Sequence, residues 1–563
     1  MPRIALGEDY FENYRENSDI YVDKSLFIKD IFEDNAKIML ITRPRRFGKT
    51  LNMTMAKAFF EKSDTDKSHL FKDLKIWEAG KKYTNAQGQY PVIFMTLKEV
   101  RMNDWQECLN KLKDKIATVF RMHKEIITCL DEGEKKEYDE IIMGKAPQSA
   151  YESSLGKLCG WLDRYHGKKP MILIDEYDAP INTGTMEGYN KEVVGFMRNL
   201  FDGAMKTNPS LEKAILTGVT RIAGESLFSG LNNFFSYNVL INDYSQHFGF
   251  TEAETKAVME ACKVEHPFNE IKRWYDGYTF GEHHDIYNPW SIMCVATQPK
   301  SILQSYWVNS GSHTILKDQL AKKNTEIKET LYALIGGETR ELPIRDDVSY
   351  EDLLQGTGGI WSFMLYAGYL TAEDVYLDHR GRKTGKFYIP NQEVGLAMEL
   401  MVGAWLWDSA DDEKGVDLMI SAMLTGKEHL FGDRLAKYVR TAFSYFDTTG
   451  NEPELVYHAF LLGLLVHLRT DYYFSSNPEA GEGRADVLIM PKSGNLGKNA
   501  VILEFKKAWS EEILEARTDV ALQQIRDKGY VQEAIKRSAE TIYCYGIGFY
   551  KREIMLKMEV VTP

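Results

Sequence analysis

At 563 residues the chain is longer than one hydrophobic core can serve, so a single domain is excluded in favour of two to four. Its 44% apolar and 27% charged residues are the proportions of a globular protein and exclude a chain that stays unfolded. With 69 basic against 82 acidic side chains, the net charge of -13 excludes a protein that coats nucleic acid over its whole surface, although a local basic groove stays open.

The first residues, Met1-Pro-Arg-Ile-Ala-Leu-Gly-Glu-Asp, lack the apolar stretch of a signal peptide. No later run approaches the roughly 18 apolar residues of a membrane span. The nearest, residues 459–468, is short, carries His467 and reads as a buried helix. Cys108, Cys129, Cys159, Cys262, Cys294 and Cys544 form no CxxC pair, which argues against a zinc site or a disulfide framework and for a reducing cytoplasm.

Short β-type runs at 38–42, 91–97, 171–174 and 213–217 alternate with longer charged segments of helical character. That is the pattern of a parallel α/β sheet covered on both faces, and it assigns residues 1–250 to one domain. Thr251-Glu-Ala-Glu254 has the form of a capping box and opens a helix. Residues 251–320, rich in aromatic and turn residues, read as a small lid, and 321–440 as a mostly helical middle region. Residues 441–563 form a second, smaller α/β unit. It has a helix near 452–468, apolar runs at 486–490 and 501–503, a charged helix at about 511–538 and a final strand at 541–547.

The 38–42 strand runs into Arg43, Pro44, Arg45, Arg46, Phe47, Gly48, Lys49 and Thr50, and Gly48-Lys49-Thr50 opens an amphipathic helix. This order suits a phosphate-binding loop. Unpaired amides and the helix dipole face the anion, Lys49 meets the β- and γ-phosphates, and the Thr50 hydroxyl holds Mg2+. Arg43 occupies the place of the loop's first glycine, so the loop is a variant. Four apolar residues, 171–174, then lead into Asp175 and Glu176 at the ligand-binding edge of such a sheet. Asp175 would assist Mg2+, and Glu176 would orient or deprotonate the attacking water. A third strand ends in Thr217-Gly-Val-Thr-Arg221, where a polar residue or Arg221 senses the γ-phosphate, or the arginine makes an ordinary strand-end salt bridge. As a sensor it serves its own subunit or, in a homo-oligomer, a neighbour's site.

Several blocks in order carry a resemblance: Tyr21-Val-Asp-Lys24, the 43–50 loop, Leu173-Ile-Asp-Glu-Tyr-Asp178, Leu216-Thr-Gly-Val-Thr-Arg221, Trp274-Tyr-Asp-Gly-Tyr278, Tyr287-Asn-Pro-Trp290 and Ile389-Pro-Asn391. Over nearly its whole length the sequence resembles bacterial proteins with an AAA-ATPase-like domain joined to a C-terminal PD-(D/E)XK nuclease-like domain. The resemblance implies that arginine in place of the first loop glycine is compatible with nucleotide binding.

In the C-terminal unit, Asp486 ends Gly-Arg-Ala-Asp, and Glu504-Phe-Lys506 lies on the next strand. Alternation along a strand puts Glu504 and Lys506 on one face. If the two strands pair, Asp486 and Glu504 could share Mg2+, with Lys506 placing the nucleophile or countering charge. Acids at this spacing also arise by chance as strand-end ion pairs; the nuclease resemblance and the α-β-β-α-β order favour the catalytic reading. The resemblance adds Glu454, Gln524 and Tyr530 as supporting residues. Lys506, Lys507, Arg517, Arg526 and Lys528 could line a phosphate-binding edge. His283-His284 have no acid or cysteine at zinc-ligand spacing, and Trp274, Tyr275, Tyr278 and Trp290 read mainly as packing.

The expectation is an ATP-hydrolysing protein with Mg2+ as cofactor, coupled to a metal-dependent nuclease-like domain acting on DNA or RNA, with no membrane association. The alternative is an ATP-dependent switch whose nuclease-like domain only binds nucleic acid or a protein partner.

Overall fold

The computed structural model describes residues 2–221, 227–228, 234–307, 325–348, 353, 359–407, 413–444, 472–476, 487–491, 499–527, 530–536 and 539–562. Two compact units emerge. The first comprises Met1–His266, Asp276–Pro299 and Leu342–Gly385; the second comprises Pro267–Tyr275, Lys300–Glu341 and Lys386–Pro563.

The first unit is built on five strands, β1 (Ile38–Thr42), β2 (Val92–Thr96), β3 (Met171–Asp175), β4 (Lys213–Gly218) and β5 (Phe234–Tyr237), in the order β2-β3-β4-β1-β5. Every pairing is parallel. β1 and β3 are buried along their full length, as unbroken apolar runs must be when helices cover both faces of a sheet. Helices Trp105–Met122, Gln148–His166 and Asn190–Met205 supply much of the cover, with Leu112, Ile116, Leu155, Leu158, Met197 and Leu200 joining Ile93, Ile172 and Leu216 in one core. Strand register aligns the edge of this sheet. Thr96 lies opposite Asp175, Ile174 opposite Leu216, and Thr42 opposite Gly218, so the polar ends of four strands finish level.

The expected strands are present, and Thr251 and Glu254 close a reciprocal capping box on the Glu252–Ala261 helix. Three features go beyond the expectation. β5 was not anticipated, because Phe-Phe-Ser-Tyr is only four residues long. The 321–440 region holds three strands, β8 (Arg340–Pro343), β9 (Thr371–Leu377) and β10 (Lys383–Tyr388), beside its helices. The 276–299 part of the expected lid, which carries a hairpin of β6 (Tyr278–Phe280) and β7 (His283–Ile286), belongs to the same compact unit as the phosphate loop.

The second unit contains the sheet β11 (Tyr472–Ser476), β12 (Val487–Pro491), β13 (Asn499–Lys507), β14 (Thr541–Tyr550) and β15 (Glu553–Val561), in that order. β12 and β13 are antiparallel, whereas β13 and β14 are parallel. A parallel pair needs a crossover, and the Leu514–Asp527 helix lies within the connection that provides it. This helix lies flush on β14 because Gly546 and Gly548 carry no side chain: a Cβ on either would come within 2.7 Å of the Thr518 carbonyl or 2.5 Å of its hydroxyl. The final strand, β15, was not expected, and the expected helix at 452–468 lies outside the described residues. Among the described residues no helix is long and apolar enough to cross a membrane.

Candidate functional site

The phosphate loop leaves β1 at Thr42 and enters the Lys49–Phe60 helix through Gly48, whose φ is 81°. Nothing lies within 4 Å of a Cβ built there, so the backbone angle, not lack of space, calls for glycine. Arg46 also has positive φ, 67°. A left-handed non-glycine residue is costly and persists only where its surroundings impose it. Here the Arg46 guanidinium sits 4.6 Å over the Trp290 ring.

Lys49 is buried, and its Nζ donates to the carbonyls of Arg43 at 3.1 Å and Pro44 at 3.0 Å. Burial pushes its pKa down, opposed by Glu176, Asp175 and Asp178. Thr50 Oγ1 donates to Asp175 Oδ2 at 2.8 Å, and Thr217 Oγ1 to Asp175 Oδ1 at 2.7 Å. Burial and the charge of Glu176 hold the Asp175 carboxyl above the usual range, against the pull of these hydroxyls and Lys49. A buried acid met by neutral donors at the mouth of a loop of this kind is the donor set a divalent cation requires.

Glu176 follows with φ 52° and lies 3.5 Å from the Arg101 guanidinium. Beyond it, Tyr177 and Asp178 tie the end of β3 to the end of β4. Asp178 Oδ2 accepts from Val219 N–H at 2.9 Å and Thr220 N–H at 3.3 Å, and Tyr177 Oη donates to the Thr220 carbonyl at 2.8 Å. Gly218 has no room for a Cβ between them, since Tyr177 would lie at 2.7 Å and Asp178 at 2.9 Å. Arg221 comes three residues past β4, stacked 5.5 Å over Phe234. Of the polar residues and the arginine that close this segment, the one that touches Asp175 is Thr217. Tyr177 and Asp178 went unassigned, although polar side chains directly after buried apolar strands marked both strand ends.

Arg43 does not project among the loop amides. Its guanidinium is buried and donates to the carbonyls of Thr42 and Tyr237, both at 2.8 Å, and of Asp243 at 3.4 Å. The rings of Phe248 and Phe280 lie 5.3 and 5.4 Å from it. Its burial, with no carboxylate to offset it, lowers the guanidinium pKa. Arg43 thus fastens the loop to the segment after β5. Phe47 does the same towards the β6–β7 hairpin, meeting Tyr278 edge-on at 5.0 Å and Phe280 at 5.3 Å. Pro44 packs on Gly368, where a Cβ would come within 2.7 Å. His283 and His284 make hydrogen bonds to Gln246 and Thr279 respectively.

In the second unit, Glu504 is fully buried and Lys506 is 3% exposed, and Lys506 Nζ donates to Glu504 Oε1 at 2.9 Å. Glu504 Oε2 is buried and has no hydrogen-bond partner among the described residues. An orphaned carboxylate oxygen in the interior is costly unless something else binds it, which suits a metal ligand. The register pairs Val487 with Leu503. Asp486, Glu454 and Lys528 lie outside the described residues, as does the side chain of Tyr530. Gln524 is half-buried on the Leu514–Asp527 helix. Of the expected phosphate-binding edge, Arg526 is engaged with Glu559, while Arg517 Nε donates to the Lys507 carbonyl at 3.0 Å.

Comparison with known proteins agrees with this division. Residues 5–228 match the family described as a predicted AAA-ATPase, and residues 452–559 match the PD-(D/E)XK nuclease superfamily. An Azotobacter chroococcum mcd 1 protein, described as an uncharacterized protein in the vnfD 5' region, is 26% identical over 97% of this chain and 96% of its own. The structure of the Aeropyrum pernix ORC1 protein in complex with DNA aligns over 67% of this chain and 90% of that one, at 12% identity. The TM-score of that alignment is 0.23. The phosphate loop and its strand-end acids, followed by the Glu-x-Lys strand of the C-terminal sheet, thus fall within the two matched regions, and the chain is a fusion of an AAA-ATPase-like domain with a PD-(D/E)XK nuclease-superfamily domain.

Proposed function

We propose that the first domain binds and hydrolyses ATP at the Gly48-Lys49-Thr50 loop and that the C-terminal domain cuts DNA or RNA at Glu504 and Lys506. The observation that carries the reading is the 2.8 Å bond from Thr50 to Asp175. It joins the hydroxyl and the acid that share Mg2+ in phosphate-loop enzymes, at the start of a helix whose amides favour anions. Thr50 and Asp175 would hold Mg2+, which when bound neutralises charge developing on the phosphates. Lys49 exchanges the Arg43 and Pro44 carbonyls for phosphate oxygens, a favourable trade for a buried ammonium. Glu176 orients the attacking water or takes its proton, and Arg221, held through the Asp178 bracket, answers charge at the γ-phosphate.

In the second domain Glu504, with Asp486, would hold a divalent ion that supplies an activated water against a phosphodiester. Lys506 is placed to counter charge at the reacting phosphate. A second reading, a nucleotide-governed switch whose C-terminal domain only binds, draws support from the burial of both Glu504 and Lys506.

The test is a panel on the purified full-length protein: ATP hydrolysis, and cleavage of DNA and RNA with Mg2+ or Mn2+, for wild type, Lys49→Ala and Glu504→Ala. The proposal expects Lys49→Ala to abolish ATP turnover and Glu504→Ala to abolish cutting. Wild type that hydrolyses ATP and leaves every nucleic acid intact selects the switch. No ATP turnover by wild type refutes the first half.

A further inference from the structure

Trp509 is 72% exposed, more than any other large hydrophobic side chain among the described residues. It is not on a loose end. Ala508 N–H donates to the Phe549 carbonyl at 2.7 Å, so the chain is still fastened to β14 one residue earlier. The Arg517 guanidinium lies 5.2 Å over the indole, and Arg517 is itself anchored through Nε to the Lys507 carbonyl at 3.0 Å. One face of the ring is therefore backed by a fixed cation while most of the side chain remains in water. Holding an indole in place without burying it forgoes the stabilisation that burial of so large a ring brings. Such a surface is suited to a flat aromatic ligand that completes the stack.

Position names that ligand. Trp509 follows Lys506 by three residues, at most about 11 Å of chain, the span of about three stacked bases. The basic groups nearest in sequence and contact are Lys507 and Arg517, whereas Glu511 and Glu512 follow Trp509. The acids that follow Trp509 in the chain disfavour a phosphate against the ring, which leaves a base as its flat partner. An apolar protein surface would find no matching patch in Ser510, Glu511 and Glu512, which are half-buried or exposed polar residues. We propose that Trp509, backed by Arg517, is a stacking platform for an unpaired nucleobase, so that the C-terminal domain takes single-stranded or locally opened nucleic acid. The platform rests on the nuclease-like reading of Glu504 and Lys506 for its place beside a reacting phosphate, but it binds independently of cutting. In a fully paired duplex the base faces are already stacked, so the platform discriminates against it.

The experiment measures fluorescence anisotropy of labelled oligothymidine and of a blunt duplex with the full-length protein, without divalent metal, for wild type, Trp509→Ala and Trp509→Phe. Trp509→Ala is expected to weaken oligothymidine binding by about 5- to 140-fold, the loss of one stacked base. Trp509→Phe should restore most of the affinity, and duplex binding and Tm should not move in either variant. Three results each overturn the platform: oligothymidine affinity unchanged in Trp509→Ala, equal loss in Trp509→Phe, or no oligothymidine binding by wild type. Cleavage is read separately with Mg2+ or Mn2+. Binding through Trp509 without any cutting rejects the nuclease reading and keeps the platform; cutting by a Trp509→Ala protein of unchanged affinity does the reverse.

Discussion

Asp175 and Glu504 are both buried acids on central strands of their sheets, and their surroundings satisfy them in opposite ways. Asp175 has a hydroxyl on each oxygen, Thr217 at 2.7 Å and Thr50 at 2.8 Å. Neutral donors fix its geometry without adding a counter-charge, so its order does not wait on a ligand. Glu504 has an ammonium on one oxygen at 2.9 Å and no partner for the other among the described residues. An unsatisfied buried acceptor costs about 1–3 kcal/mol, so the C-terminal site is strained where the N-terminal one is settled. The first site is ordered by its own neighbours, whereas the second leaves one buried oxygen without a partner among the described residues.

The largest effect is expected at Glu176, which lies 3.5 Å from the Arg101 guanidinium and is held in the left-handed region at φ 52°. Glu176→Gln should slow ATP hydrolysis by about 10²- to 10⁴-fold, the usual worth of a general base. Nucleotide should still bind, because Lys49, Thr50 and Asp175 are untouched, and filter binding would show it retained. Hydrolysis close to wild type would remove Glu176 from the role of base. A smaller effect sharpens the other side of the comparison. Mn2+ at roughly 100 times its Kd should stabilise the C-terminal sheet by about 2.7 kcal/mol, read from amide hydrogen exchange along β13. Glu504→Gln should lose that response, and an equal gain in this variant would mean that the orphaned oxygen is not where the ion sits.

Much of the first site was legible because its chemistry is written in contiguous residues: Gly48-Lys49-Thr50, and Asp175-Glu176 at the end of an apolar run. What was not legible is long-range. The role of Arg43 depends on carbonyls at Tyr237 and Asp243, about two hundred positions away in the chain. Thr217 meets Asp175 only because β4 lies between β3 and β1, an order that strand-by-strand reading does not supply. The β9–β10 hairpin was missed because β9 is exposed over its last four residues and lacks the alternation of a half-buried strand. Its turn did carry a local signal: Asp378 accepts from the amides of Arg380 and Arg382, and Gly381 takes φ 73°. Trp509 escaped for a plainer reason, since sequence does not tell an exposed indole from a buried one.

A third buried acid in the second unit tests whether burial, rather than partnership, sets the terms there. Glu399, on the Gln392–Trp407 helix, is 2% exposed, and burial pushes its carboxyl up to about 8 from an ordinary value of 4.5. A raised folded-state pKa means that the folded chain holds a proton the unfolded chain has released. The associated stability is complete below about pH 4.5 and is lost as pH rises through about 8. Between those limits wild type should lose about 1.4 kcal/mol per pH unit relative to Glu399→Gln, which mimics the protonated acid and does not titrate. Urea midpoints of the two proteins, followed across that window, should diverge with rising pH and run parallel above it. Parallel curves throughout would mean that Glu399 is ionised at neutral pH and charge-compensated, and that burial alone does not set its titration.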